Sequence, residues 1–268
     1  MHIESFHDKQ FICFKYQNRK QQQMNWEHNN TSEMAQRGWS ILSGRVEQNL
    51  VQTALRAIYE NRDKSLDVLP KYHYDTFCPD LCNPDQYSKP ITDLLFESGI
   101  SECVDAVMGE GLDWETSKKP QIAIRWTESP NATLHLDGFP NATSESPANI
   151  PDAILGIYLT DVQSIDDGAL IVAPQSRPTI AGWAAAMTQA PRQCDRSALQ
   201  SSFIDTHTET ITGLSGTAFL CHGALPHKNA NRISAGERVA VYFRLYLQAD
   251  AALPRLRFLQ MNTWGWQD

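Results

Sequence analysis

The residues best placed to do chemistry lie in Leu134-His135-Leu136-Asp137-Gly138. Positions two apart on a strand point to the same face, so His135 and Asp137 can present an imidazole and a carboxylate side by side. That pair is two-thirds of a 2-His-1-carboxylate facial triad, the ligand set that holds Fe(II) and leaves adjacent positions open for a cosubstrate and O2. Taken alone, the pair reads more readily as a solvated or hydrogen-bonded couple. A third ligand has to come from elsewhere, and His222 and His227 lie together in Cys221-His222-Gly223-Ala224-Leu225-Pro226-His227.

The elements that must position these groups follow from periodicity. Trp39-Ser40-Ile41-Leu42 reads as a short strand and Ser43 as a helix cap. Val46, Leu50, Val51, Ala54, Leu55 and Ile58 then recur at helical spacing, predicting a helix over about 45–62. Residues 63–89 read as loop with one short strand. A second helical region covers Ile91 to Phe96 and Glu102 to Met108, stopped by Gly109 and Gly111. Beyond Pro120 the pattern changes to short β runs separated by Pro, Gly, Asn and Asp: Gln121–Thr127, Thr133–Asp137, Ala153–Thr160, Ala169–Ala173, Thr208–Thr212, Thr217–His222 and Arg238–Leu247. These strands suggest a sandwich or jelly roll, with Pro178 to Met187 as an inserted helix. The expected organisation is a polar extension over residues 1–33 and one domain over 34–268, with its helical part at about 45–110 and its β core at about 120–250.

Composition narrows the function classes. The chain has 268 residues, 31 acidic and 23 basic side chains and a formal charge of −8, which argues against nucleic-acid binding. Hydrophobic residues at 41% are enough for a substantial core. No apolar stretch approaches the roughly 18 residues of a membrane span, and the N-terminus lacks the apolar core of a secretory signal. A soluble, cytoplasmic protein that does not engage membranes is expected. The six cysteines make no paired CxxC pattern and read as reduced thiols. Glycosylation sequons at Asn29, Asn30, Asn131 and Asn141 carry little weight without a secretory signal.

Four motifs in order give a more specific indication. They are His135/Asp137; Asp161 leading to Asp167-Gly168-Ala169-Leu170-Ile171-Val172-Ala173-Pro174-Gln175-Ser176; Gly216-Thr217 with His222 and His227; and Arg238 followed by Tyr242-Phe243-Arg244-Leu245. Across about residues 38–247 this order resembles the phytanoyl-CoA dioxygenase-like family of Fe(II)/2-oxoglutarate oxygenases. Thr217 replaces an acidic residue of the family pattern, Gln175 replaces a glycine, and Asn231-Arg232-Ile233-Ser234 is one residue longer than the family's Asn-x-Ser.

The resemblance implies a mainly β fold with flanking helices: a double-stranded β-helix (jelly-roll, cupin-like) core with N-terminal helices packed on one sheet. It implies Fe(II), 2-oxoglutarate and O2 as cofactor and cosubstrates, and succinate and CO2 as products alongside a hydroxylated substrate. The family places an arginine eleven residues beyond the second ligand histidine. Arg238 stands in that relation to His227, whereas Ile233 does so for His222. If Thr217–His227 and Arg238–Leu247 are antiparallel neighbours, the turn between them brings His227 close to Arg238. The implied metal ligands are therefore His135, Asp137 and His227, with Arg238 receiving the distal carboxylate of 2-oxoglutarate.

Asn229 matches a polar position that contacts 2-oxoglutarate in relatives. Arg125, on the strand leading to His135, reads either as a contact to cosubstrate or substrate, or as a surface or ion-paired arginine. Trp183 and residues 139–150 are expected at the mouth of the site. The carboxylate of Asp137 favours hydroxylation, since halogenating relatives carry a small residue there. A small organic substrate is expected. Lys118, Lys119, Arg125, Lys228 and Arg232 leave an acyl-CoA ester open, and nothing in the sequence sets an oligomeric state. The competing readings are a cupin-like metalloprotein that does not use 2-oxoglutarate and a non-catalytic binding relative.

Overall fold

The computed structural model describes residues 30–68, 76–77, 89–108, 111–127, 132–138, 150–182, 200–203 and 206–248. Helix α1 covers residues 30–37 and leads through Gly38 into strand β1 (Trp39–Arg45) and helix α2 (Gln48–Val68). The boundary expected after residue 33 falls inside α1, where Asn30 is buried and accepts a hydrogen bond from Ser40 Oγ. Ser43, expected to cap a helix, instead lies within β1. Strand β2 (Thr76–Phe77) is the short strand expected between 63 and 89. Helices α3 (Lys89–Phe96) and α4 (Ile100–Met108) are parted at Gly99, whose φ of 79° suits glycine, and α5 (Trp114–Ser117) is a single turn capped by Asp113.

The β region comprises β3 (Pro120–Arg125), β4 (Ala153–Tyr158), β5 (Leu170–Val172), β6 (Glu209–Ile211), β7 (Thr217–His222), β8 (His227–Asn229) and β9 (Arg238–Leu245). They form a six-stranded sheet in the order β1-β7-β4-β9-β3-β2 and a three-stranded sheet in the order β6-β5-β8, with every pairing antiparallel. Two facing antiparallel sheets, one covered by helices, make the double-stranded β-helix. Three expectations change. The run Thr133–Asp137 forms one antiparallel bridge at His135 and a turn at Asp137-Gly138, β8 is an additional strand, and only residues 178–182 of the helix expected over 178–187 lie among the described residues.

Period-two alternation divides the core. Ile122, Ile124, Ala153, Leu155, Ile157, Ala218, Leu220, Val239, Val241, Phe243 and Leu245 pack outward against α2, α3 and α4. Their neighbours Ala123, Ile154, Tyr158, Phe219, Cys221, Ala240 and Tyr242 face the small sheet and meet Leu170, Val172 and Ile211. The central strands β4 and β7 are buried along their whole length because both faces are covered, which is why they read as continuous apolar runs. No helix among the described residues is long and apolar enough to cross a membrane.

Gly156 lies opposite Phe219 in the β4–β7 register, and a Cβ there would overlap the Phe219 ring. That ring in turn packs on Tyr158 and edge-on to Tyr242. Gly156→Ala is expected to destabilise the fold by about 1–3 kcal/mol, read as a lower urea midpoint at unchanged slope.

Candidate metal centre

His135 and His227 are held opposite each other by two backbone hydrogen bonds of 3.0 Å, the N–H of each donating to the carbonyl of the other. Directly opposed residues of an antiparallel pair project their side chains to the same side, and the two imidazole centroids lie 4.7 Å apart. His135 Nδ1 is 2.9 Å from the Thr133 carbonyl and His227 Nδ1 is 3.0 Å from that of Leu225. A carbonyl only accepts, so this network assigns the hydrogen to Nδ1 in each ring and leaves the Nε2 lone pair as the donor to a metal. Asp137 Oδ1 lies 3.6 Å from His135 Nε2 and 3.8 Å from His227 Nε2. One donor atom from each of the three residues falls within 4.8 Å of the others.

The protonation states suit a cation. Burial opposes ionisation of Asp137, but its interactions with the adjacent His135, His227 and Arg244 outweigh it and hold the carboxyl far below the usual carboxylate range. Burial pushes the His227 imidazole below its ordinary pKa, with Asp137 opposing that shift. One ionised carboxylate and imidazoles with tautomers set by backbone carbonyls are a donor set that fits a divalent iron ion.

Beside the cluster is a cavity of about 150 Å³, whose walls include Gln121, Ala123, Arg125, Asn229, Tyr242 and Arg244. Arg238 lies directly behind this wall and is fully buried. Its Nε donates to Gly168 O at 3.0 Å, Nη1 to Ala123 O at 3.4 Å and Nη2 to Asn229 Oδ1. Every one of these acceptors is neutral. Two of the five guanidinium N–H groups have no partner among the described residues, nor does any carboxylate there lie within ion-pair distance. A buried cation that finds no counter-ion among the described residues is costly, and its surroundings are suited to an anion. Arg125 pairs with Arg238 across β3 and β9 and lines the cavity, its Nη1 donating to the Ile124 carbonyl.

The structure brings together all six residues singled out by sequence, but by a different route from the one expected for His227. Strands β7 and β9 are not neighbours, because β4 runs between them, and His227 belongs to the small sheet. Its proximity to Arg238 comes from the packing of one sheet on the other. His222 is fully buried on β7, and its Nδ1 accepts the Ala224 N–H at 3.0 Å, a turn-forming role away from the cluster. His207 is exposed. Arg232, counted among basic residues that could meet an acyl-CoA ester, is buried and donates to the carbonyls of Asp167, Ala235 and Gly236, closing the longer turn before β9. Trp183 and residues 139–149 of the expected site mouth lie outside the described residues.

At two positions quoted within the motifs, the contact made went unread. Gly168, at φ 78°, aims its carbonyl at Arg238. Arg244 Nη2 lies 2.9 Å from Asp137 Oδ2. The signal for Arg244 was its period of two with Arg238, since positions 238, 240, 242 and 244 share the inner face of β9.

Among solved structures the chain is similar to the non-heme α-ketoglutarate-dependent carbocyclase SnoK from nogalamycin biosynthesis, at 16% identity over 85% of this chain and 89% of that one, with a TM-score of 0.59. It is likewise similar to EctD from S. alaskensis, solved with 2-oxoglutarate and 5-hydroxyectoine, at 13% identity over 82% and 75% of the two chains, with a TM-score of 0.59. HygX from Streptomyces hygroscopicus, solved with nickel and 2-oxoglutarate, aligns at 16% identity over 82% and 87%, with a TM-score of 0.52. At these identities the likeness establishes the double-stranded β-helix fold. No protein-family model matches the chain, and no curated protein matches it by sequence.

Burial holds the His222 pKa down at about 3, whereas an unfolded histidine titrates near 6.5. The unfolded chain therefore binds a proton that the folded chain refuses. The contribution of this residue is intact above about pH 6.5 and is lost as the pH falls towards 3, at up to about 1.4 kcal/mol per pH unit. His222→Asn, which keeps an acceptor for Ala224, is expected to show a shallower acid decline than wild type in urea midpoints measured from pH 7 to pH 4.

Proposed function

We propose that the chain is an Fe(II)- and 2-oxoglutarate-dependent oxygenase of the phytanoyl-CoA dioxygenase-like family that hydroxylates a C–H bond of a small organic substrate. The observation that carries this reading is the juxtaposition, across a cavity sized for a small organic acid, of the His135/Asp137/His227 cluster with the buried Arg238, which has no counter-ion among the described residues. A metalloprotein that made no use of an anionic cosubstrate would leave that arginine without a task, and this weighs against the cupin-like alternative. A binding relative that had lost turnover requires a defect, and nothing expected is missing from the ligand set His135, Asp137 and His227.

His135, Asp137 and His227 would hold the iron, which when bound would supply the oxidative decarboxylation of 2-oxoglutarate to succinate and CO2 coupled to substrate oxidation. The chain's own part is positioning. Arg238 binds the distal carboxylate with the two N–H groups that protein acceptors leave over, and Asn229, held by Arg238 and 3.4 Å from the Tyr242 hydroxyl, lines the path between that carboxylate and the metal ligands. Arg125 adds a second positive charge on the same wall. The apolar lining from Ile154, Leu170 and Cys221 keeps the cavity poor in water and strengthens these charge interactions. Asp137 supplies a carboxylate where a halide would need space, which favours hydroxylation over halogenation. Among the described residues the cavity is lined by Arg125 and Arg244 and by no lysine, which suits a compact substrate better than a polyphosphorylated one.

The test is an anaerobic titration of the apo-protein with Fe(II) and then 2-oxoglutarate, followed by the weak visible charge-transfer band of the chelated oxo acid. Wild type is expected to develop the band, Arg238→Ala to weaken 2-oxoglutarate binding by about 30-fold or more, equivalent to about 2 kcal/mol, and Asp137→Ala to lose the iron. An iron-loaded wild type without a band would overturn the reading.

A further inference from the structure

We infer that Arg244 is a positioning residue that fixes Asp137 as a one-oxygen metal ligand and so preserves an open coordination position. The inference rests on the oxygenase reading of the same site. Each ligand of the cluster has an outer partner: the Thr133 carbonyl for His135, the Leu225 carbonyl for His227, and Arg244 for Asp137. The two carboxylate oxygens are divided between different tasks. Oδ1 faces the imidazole nitrogens at 3.6 and 3.8 Å, whereas Oδ2 lies 2.9 Å from Arg244 Nη2.

A carboxylate without such a partner is free to turn and chelate a cation with both oxygens. On a six-coordinate ion, bidentate Asp137 and two histidines would leave two positions, and a chelating 2-oxo acid would fill both. One-oxygen binding leaves three. Arg244 is suited to enforce this because its aim is set by the sheet: it lies on β9 opposite Ile154 of the central strand β4 and is not carried by a loop. Among the described residues Asp137 is the only carboxylate within ion-pair distance of it. Its sequence neighbours Phe243 and Leu245 are fully buried in the outer core and fix the strand from the other face.

The experiment compares wild type with Arg244→Ala, Arg244→Gln and Arg244→Lys in anaerobic Co(II) titrations followed by ligand-field absorption, then in titration of the Co(II) forms with 2-oxoglutarate, with folding checked by circular dichroism. Arg244→Ala and Arg244→Gln are expected to bind Co(II) about 10- to 100-fold more weakly and to show an altered ligand-field spectrum, with Arg244→Lys recovering most of the affinity. The Gln variant carries the test if alanine unfolds the chain. Wild-type affinity and spectrum in the Ala and Gln variants would overturn the inference and would return Arg244 to the substrate side of the cavity. Failure of wild type to bind Co(II) would instead overturn the metal-site reading itself.

Discussion

The site depends on a pair of backbone hydrogen bonds between His135 and His227. The segment carrying His135 forms no regular strand, and that single bridge sets its register against β8. A slip of one residue would turn His135 and Asp137 to the opposite face and bring Leu134 and Leu136 round in their place. Packing guards against this slip, because Leu136 is buried in the inter-sheet core and Leu134 packs against it. Alternating leucines thus act as the ratchet for the alternating His135 and Asp137, and the bridge aligns these candidate ligands with a histidine presented by the small sheet. The cavity, the buried arginine and the carboxylate are then disposed around an arrangement that backbone geometry has already fixed.

Strand β9 shows how one short stretch of chain serves two ends. Its odd-numbered residues are aliphatic or aromatic and join the helical layer, while its even-numbered residues run Arg238, Ala240, Tyr242, Arg244 along the inner face. The protein carries a net charge of −8, yet this inner face is basic at both ends. A polar group placed there is shielded from bulk water by two sheets, so its influence on an anion is much stronger than the same charge would have on the surface. The distribution of charge rather than its sum is what bears on function.

Much of this was legible in the sequence, for identifiable reasons. Strand β7 was read with the limits it has, because apolar β-formers bounded by glycine turns leave little choice. The proximity of His135 and Asp137 was legible because residues two positions apart on an extended segment share a face. What the sequence could not show was sheet order. The route from His227 to Arg238 was misjudged because β4, distant in sequence, inserts between β7 and β9. The extent of regular structure around His135 was overestimated because a hydrophobic alternation specifies which face each residue takes, not how many ladder bonds form. Arg244 was missed as a partner of Asp137 because a salt bridge between residues over a hundred positions apart leaves no trace in local pattern.

The outer core, in which the large sheet packs on the helices, shares no residue with the cavity wall. The two faces of the same strands therefore answer to different demands. Substitutions that reshape the wall at Gln121, Ala123 or Leu170 leave the helical layer and its buried apolar area untouched, so on the proposed function the pocket can change without loosening the packing of the large sheet on the helices. In such a protein the breadth of chemistry open to descent is set by the sidedness of a sheet.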